Sequence, residues 1–367
     1  MIPSLDTLDW SGFLARPSLP SPSQKAIDAL RPQAILITGA GGSIGSALAQ
    51  RLGSLAPSRL LALEASESHL YALQREWAQS GAAIPMHPFL GSVADRALLD
   101  EIFSLHSPRI VFHTAAFKHV PLMEEQPLAA IANNIFGTDS LVSSAAAHGA
   151  RVVLLSTDKA VAPASIMGAT KRVAEHIALA AGGVVLRLGN VLASRDSVAE
   201  IFAGQIDAGG PLTVTDPAAR RYFLTIDEAV NLLIAAASES DPPILLAPAL
   251  SEPHFIADLA RFMAANLAPG HTIPIDFTRL RPGDKEAELL WSSTESVHPA
   301  AMDGLLCIES PLLARGHLHS ALAALRTALD ARDMPAALDT LRALVPEYAP
   351  SQAVQSLAAT STPRVSR

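Results

Sequence analysis

Ala34-Ile35-Leu36-Ile37-Thr38-Gly39-Ala40-Gly41-Gly42-Ser43-Ile44-Gly45 opens as an apolar run and closes in a turn carrying four glycines. Residues 34–37 read as a buried strand, and residues 43–55 beyond the turn have helical spacing. The glycines let the backbone turn tightly. They also let a pyrophosphate approach the helix N-terminus, where unpaired N–H groups and the dipole favour an anion. A Gly-rich turn alone is often only a turn, but strand, glycines and helix in this order are what a dinucleotide fingerprint requires. Gly39, Gly42, Ser43, Ile44 and Gly45 are therefore candidate cofactor residues. The next apolar run, 60–63, ends in Glu64, about 20 residues beyond the glycines, as that fingerprint demands. A carboxylate there accepts from both ribose hydroxyls and repels a 2′-phosphate. Ala65 and Ser66 follow, with no Arg to offset the repulsion. The expected cofactor is NAD rather than NADP; the alternative makes Glu64 a solvated loop carboxylate.

Outward from this turn, short β-rich runs at 34–37, 60–63, 84–89, 109–113, 152–155 and 184–188 alternate with helical stretches at 43–55, 96–105, 129–148 and 167–181. Continuous apolar strands alternating with helices read as a parallel sheet covered on both faces. The expected fold class is α/β: a Rossmann-type, doubly wound parallel sheet with a smaller C-terminal substrate-binding domain. After Gly189 the character changes, with short runs at 212–214 and 223–225 among Pro and Gly, and helices at 227–237 and 253–268. The reading is an N-terminal Pro/Ser-rich arm over 1–30 and a cofactor domain over 31–189. A substrate domain with C-terminal helices occupies 190–350, segments near 215–250 return to the sheet, and 351–367 is a flexible tail.

Composition excludes several classes. With 49% hydrophobic residues over 367 positions the chain can bury a sizeable core, so extended disorder is not expected. A net charge of −8 with no basic block argues against a nucleic-acid or anionic-membrane surface. Cys307 is the only cysteine, so neither an intrachain disulfide nor a cysteine zinc cluster is available, and no metal site is expected. Asp6 and Asp9 stand where a signal peptide needs Lys or Arg, and no uncharged run approaches the roughly 18 residues of a membrane helix. A soluble cytoplasmic protein without membrane insertion is expected.

The fifth apolar run leads into Ser156-Thr157-Asp158-Lys159-Ala160-Val161, and one helical turn separates Met167 from Lys171 in Met167-Gly168-Ala169-Thr170-Lys171. Polar and charged residues at the carboxyl end of a parallel strand lie where such sheets bind ligands. A Lys four residues along a helix can face the same crevice as residue 167. A structural Asp–Lys pair at a strand end is the bland alternative.

On these residues the chain resembles an extended short-chain dehydrogenase/reductase, and within it the polysaccharide-biosynthesis family of UDP-N-acetylglucosamine 4,6-dehydratases. The likeness also rests on Phe112-His113-Thr114-Ala115-Ala116-Phe117-Lys118-His119-Val120-Pro121, Asn134-Ile135-Phe136-Gly137-Thr138, Arg187-Leu188-Gly189-Asn190-Val191 and Arg221-Tyr222-Phe223-Leu224-Thr225. Arg281-Pro282-Gly283-Asp284-Lys285 and Leu344-Val345-Pro346-Glu347-Tyr348 extend it. It covers about 13–348. In many relatives a membrane-helix segment precedes this unit, and the present chain reads as lacking one.

The resemblance implies an internal redox cycle. Hydride leaves sugar carbon 4 for NAD, the carbon-5 proton is removed, water leaves from carbon 6, and hydride returns to carbon 6. Relatives of this fold commonly carry Tyr four residues before the Lys; Met167 cannot be a base, but a subgroup of the dehydratases shares this Met and keeps Thr-Asp-Lys. The implied roles are Lys159 as carbon-5 base, Asp158 as acid to the carbon-6 hydroxyl, and Thr157 as hydrogen-bond partner of the carbon-4 oxygen. Lys171 would hold the nicotinamide ribose, and Ala115 and Ala116 would let the dinucleotide pass. Lys118 and Asn190 would reach the substrate diphosphate or sugar. Arg195, Arg221 and Arg281 would bind the nucleotide diphosphate of a UDP-sugar, each with a solvated surface role as alternative. Relatives usually have Asp at Ser92, Gly at Ala193 and Asp196, and Glu at Asp284. A nucleotide-sugar epimerase and a non-catalytic NAD-binding protein are the competing readings. A homo-oligomer is expected, packed through the Ala-rich helices 129–148 and 167–181.

Overall fold

A computed structural model describes residues 5–239 and 242–360. Six parallel strands follow the order of the apolar runs: β1 (Ala34–Thr38), β2 (Arg59–Glu64), β3 (Met86–Leu90), β4 (Ile110–His113), β5 (Arg151–Thr157) and β6 (Val184–Leu188). Spatially they lie β6-β5-β4-β1-β2-β3, so the winding reverses between β1 and β4. That reversal opens a crevice at the carboxyl ends of the strands, the ligand site of doubly wound sheets. Beyond β6 the strand Ile244–Pro248 joins in parallel, then Leu305–Glu309 and Ser296–Pro299 antiparallel, giving nine strands. The returning segments thus extend past 250.

Both sheet faces are covered because β1, β2, β4 and β6 are apolar on both sides. One core packs the sheet against the helices Ser43–Leu55 and Ile226–Ala237. The other packs it against Arg96–His106, Gly137–Ala147 and Ile166–Ala180. A third, smaller core gathers Phe202, Leu212, Phe223, Leu259 and Met263 in the C-terminal domain.

Three elements differ from the pattern read in the sequence. The helix anticipated over 129–148 is interrupted: Pro127–Ala130 runs into a π turn, Ile131–Phe136, before Gly137–Ala147. Asn134 in that turn accepts from Phe117 N–H (2.8 Å) and donates to Thr170 Oγ1 (3.1 Å), so the widened turn ties the loop after β4 to the helix carrying Lys171. The N-terminal segment holds the helices Trp10–Leu14 and Gln24–Leu30, and Arg16 pairs with Glu228 at 2.6 Å. Trp10 and Phe13 pack at a tilt against Phe262, so apolar burial docks a stretch that composition alone reads as a loose arm. The helix Gln352–Thr360 likewise buries Val354 where a free tail was anticipated.

The Ala-rich helix Ile166–Ala180 is buried at every position but the last. The helices Arg315–Asp330 and Met334–Leu344 cover it through Leu318, Leu325, Met334, Leu338 and Leu341. The face that small residues were expected to offer a second copy is therefore occupied by the chain's own C-terminal helices. Among the described residues no helix is long and apolar enough to cross a membrane, and no cluster of three His, Cys, Asp or Glu side chains could hold a metal ion.

Candidate active site

Between β1 and its helix, Gly39 adopts φ +67°, and a Cβ there would stand 2.7 Å from the Ala115 backbone. Only glycine fits this approach of the two loops. Gly42 is the N-cap of Ser43–Leu55 and provides no side-chain cap. The N–H groups of Ser43, Ile44 and Gly45 have no acceptor among the described residues. A cradle that side chains would fill, rimmed by free amides, fits a dinucleotide pyrophosphate. Ala115 and Ala116 border it. Beneath it His113 bridges Thr38 Oγ1 (2.8 Å) and Thr138 Oγ1 (2.9 Å), and burial holds its imidazole neutral, down at about 3.

Glu64 is buried at the end of β2. One carboxylate oxygen accepts from Gly41 N–H and the other from Ser66 N–H, each at 2.9 Å. The side chain therefore pins the glycine turn to the next helix start, a task sequence reading did not assign it. Ser92, where relatives carry Asp, caps its own turn by accepting from Ala94 N–H at 3.1 Å.

At the end of β5 the chain tightens into a single 3-10 turn, Asp158–Ala160. Asp158 is completely buried. Its Oδ1 accepts from Thr157 Oγ1 (2.9 Å) and Lys159 Nζ (3.0 Å), while Oδ2 has no partner among the described residues. A buried carboxylate oxygen without a donor is costly unless a ligand supplies one. Lys159 Nζ also donates to Asn190 Oδ1 at 3.0 Å. Thr157, Asp158, Lys159 and Asn190 thus form one cluster. Lys171 Nζ donates to Leu155 O at 2.8 Å, and burial pulls its ammonium down to about 8 against the charge of Glu175. Met167 is buried in the same helix.

Two members of the cluster escaped sequence reading. Glu288, almost fully buried, places Oε1 3.9 Å from Lys159 Nζ and Oε2 2.7 Å from Lys285 Nζ. It lies in a stretch without periodicity, and nothing local marks it. Tyr222 precedes the strand Phe223–Leu224, and its carbonyl accepts from Asn190 N–H at 2.8 Å. Gly189 leaves room for it, since a Cβ there would lie 2.8 Å from Tyr222 Cβ. Burial, and then the Asp158 charge, push its phenol up, so it stands as a hydrogen-bond donor.

Behind the cluster Ser156 Oγ donates to Glu175 at 2.6 Å, and Glu175 and Glu295 share the wholly buried Arg187. Against the cost of burial, the Arg187 charge and hydrogen bonds draw both carboxyls down to about 2. Arg187 Nη1 also donates to Leu290 O (3.2 Å), so this network anchors the segment that brings in Glu288.

The arginines expected at a substrate diphosphate do not converge. Arg221 donates to the carbonyls of Arg220, Lys285 and Glu286, and the exposed Arg281 pairs through Nε with Asp284 at 2.8 Å. Arg195 lies on the glycine turn instead: its N–H donates to Ser43 Oγ (2.8 Å) and its Nη1 to Gly41 O (2.7 Å). Lys118 Nζ donates to Arg195 O, which puts Lys118 at the same rim.

Residues 35–310 match the family model described as polysaccharide biosynthesis protein. A probable polysaccharide biosynthesis protein, EpsC of Bacillus subtilis, is 40% identical over 72% of this chain and 46% of its own length. The capsular polysaccharide biosynthesis protein CapD of Staphylococcus aureus is 38% identical over 74% of this chain and 47% of its own length. The chain thus spans about half the length of these curated relatives. A UDP-glucose 4-epimerase of Rickettsia canadensis is 32% identical over 71% of this chain and 78% of its own. Among solved structures, Pen from Bacillus thuringiensis superposes with a TM-score of 0.71 at 27% identity, covering 78% of this chain and 90% of that one. DesIV, a dTDP-glucose 4,6-dehydratase from Streptomyces venezuelae solved with NAD, shares the fold at a TM-score of 0.60 and 18% identity, covering 70% and 89%.

Proposed function

Because this chain belongs to the polysaccharide biosynthesis protein family, we propose that it is an NAD-dependent, nucleotide-sugar-modifying enzyme of the short-chain dehydrogenase/reductase type. Its finer activity is 4,6-dehydration of UDP-N-acetylglucosamine to a UDP-4-keto-6-deoxy sugar. The observation that carries this is the Thr157-Asp158-Lys159 cluster around the buried Asp158, whose Oδ2 is left open for a proton donor or a substrate oxygen. Epimerisation at carbon 4 alone has no use for an acid and a base directed at carbons 5 and 6.

The glycine turn with its free amides, Glu64, Ala115, Ala116, Lys118 and Lys171 would hold NAD, which supplies a hydride acceptor and donor for the sugar carbons. Thr157 turns its hydroxyl from Asp158 to the carbon-4 oxygen, and the phenol of Tyr222 is a second candidate donor to the sugar where position 167 has only a thioether. Lys159 removes the carbon-5 proton once carbon 4 is a ketone. Asp158 delivers a proton to the carbon-6 hydroxyl, which leaves as water. Asn190, 3.0 Å from Lys159 Nζ, keeps that amine on the substrate side of Asp158.

Product analysis tests the proposal. Incubation with UDP-N-acetylglucosamine should yield a sugar nucleotide lighter by one water, with no net change in NAD. A product of unchanged mass but altered configuration identifies an epimerase, and no turnover with NAD bound identifies a binding protein; either overturns the dehydratase reading.

A further inference from the structure

Ala193 and Asp196 both sit at φ +56°, in the left-handed region that glycine tolerates and L-residues enter at a cost. Such a conformation persists only where its surroundings hold it. Here the segment between them is clasped on both sides: Arg195 N–H by Ser43 Oγ, Arg195 Nη1 by Gly41 O, and Arg195 O by Lys118 Nζ. His119 Nε2 and Asp196 Oδ2 approach to 3.6 Å, and Asp196 N–H donates to Glu200 at 2.6 Å. A loop that follows β6 is thereby strapped across the start of the chain's first βα unit.

The strap brings a cation to the amide cradle. The guanidinium of Arg195 is half-buried and makes no ion pair among the described residues, and its Nε and Nη2 have no acceptor there. The cradle's amides carry only partial positive charge, whereas a dinucleotide pyrophosphate carries two negative charges. A planar fork of donors next to free amides matches that anion.

We propose that Arg195 is a cofactor-binding residue, and that the strap 193–197 closes over the bound dinucleotide so that NAD leaves only when the strap lifts. The proposal rests on the NAD reading. It suits an enzyme whose cofactor is regenerated within each turnover and need not exchange.

The test loads the full chain with fluorescent NADH, chases it with excess NAD, and compares the release rate with apo-protein melting. Arg195→Ala should speed release by about ten-fold or more, as expected for loss of a charge-assisted hydrogen bond, while apo melting stays close to wild type. Ser43→Ala, which removes the strap's backbone anchor, should speed release several-fold. Arg195→Lys keeps charge but not the fork, and should fall between wild type and Arg195→Ala. Release within two-fold of wild type in Arg195→Ala overturns the proposal. So does weakened UDP binding with unchanged NADH release, which returns Arg195 to the sugar-nucleotide site. If wild type retains no NADH, the cofactor reading itself fails and the strap with it; retention equal in wild type and Arg195→Ala sinks the strap alone.

Discussion

At Glu64 a proposed task meets an observed one. Sequence position marks it as the ribose acceptor, and the structure adds two backbone amides, from Gly41 and Ser66, held at 2.9 Å. Glu64→Ala should therefore both relax selectivity against NADP and loosen the turn. Hydrogen bonds to charged groups contribute about 1.5–3 kcal/mol, so NAD binding should weaken by roughly ten-fold or more. Titration of wild type with both dinucleotides checks the premise, and equal affinity for NADP would count against it. Lys171 provides a second residue-scale test. With its pKa near 8 in the folded chain, the side chain is an ammonium below that value and a neutral amine above it. If its charge assists loss of the carbon-4 hydroxyl proton, initial rates should fall as pH rises through about 8. Lys171→Arg should carry that limb beyond the measurable range. A limb that stays put in the Arg variant assigns the titration to another group.

At the scale of elements, the glycine turn and the Ser156–Lys159 strand end were legible because each is local: a strand, a turn and a helix start within a dozen residues. Glu288 and Tyr222 were not, because each reaches the site through pairing far along the chain. The π turn at Ile131–Phe136 was equally hidden, since its apolar spacing is that of an ordinary helix. Arg221 donates to neighbouring carbonyls and Arg281 pairs through Nε with Asp284, contacts that sequence position alone did not reveal. The Arg187 network joins β5, β6 and the segment before Ser296–Pro299. Glu175→Gln leaves Arg187 buried with less compensation, and removal of one buried partner costs about 3–5 kcal/mol. Its pH signature follows from its sign. The folded carboxyl titrates at about 2 against an ordinary 4.5, so its contribution is complete above the ordinary value and is lost as pH falls toward 2. Denaturant melts of Glu175→Gln should therefore show lower stability at neutral pH and a shallower loss on acidification. Wild-type stability in the variant would mean the network does not hold the site.

For the whole molecule, the doubly wound fold class was readable because most of the parallel strands are apolar runs alternating with helices. The C-terminal helices were placed only by tertiary packing, and they cover Ile166–Ala180, one of the two helices through which association was expected. A chain ending before Leu312 should expose the Ile166–Ala180 helix and self-associate or lose solubility; light scattering that shows a monomer melting like wild type would contradict this. The central claim is that Asp158 and Lys159 drive an elimination at carbons 5 and 6. It is tested most directly by incubating wild type, Asp158→Asn and Lys159→Ala with UDP-N-acetylglucosamine in deuterium oxide, following product mass and deuterium at carbon 5. The account predicts a dehydrated, deuterium-labelled product from wild type, elimination slowed by about 10²–10⁴-fold in Asp158→Asn, and no exchange at carbon 5 in Lys159→Ala with NAD still bound. Exchange in Lys159→Ala as fast as in wild type, or near-normal turnover in both variants, would contradict it.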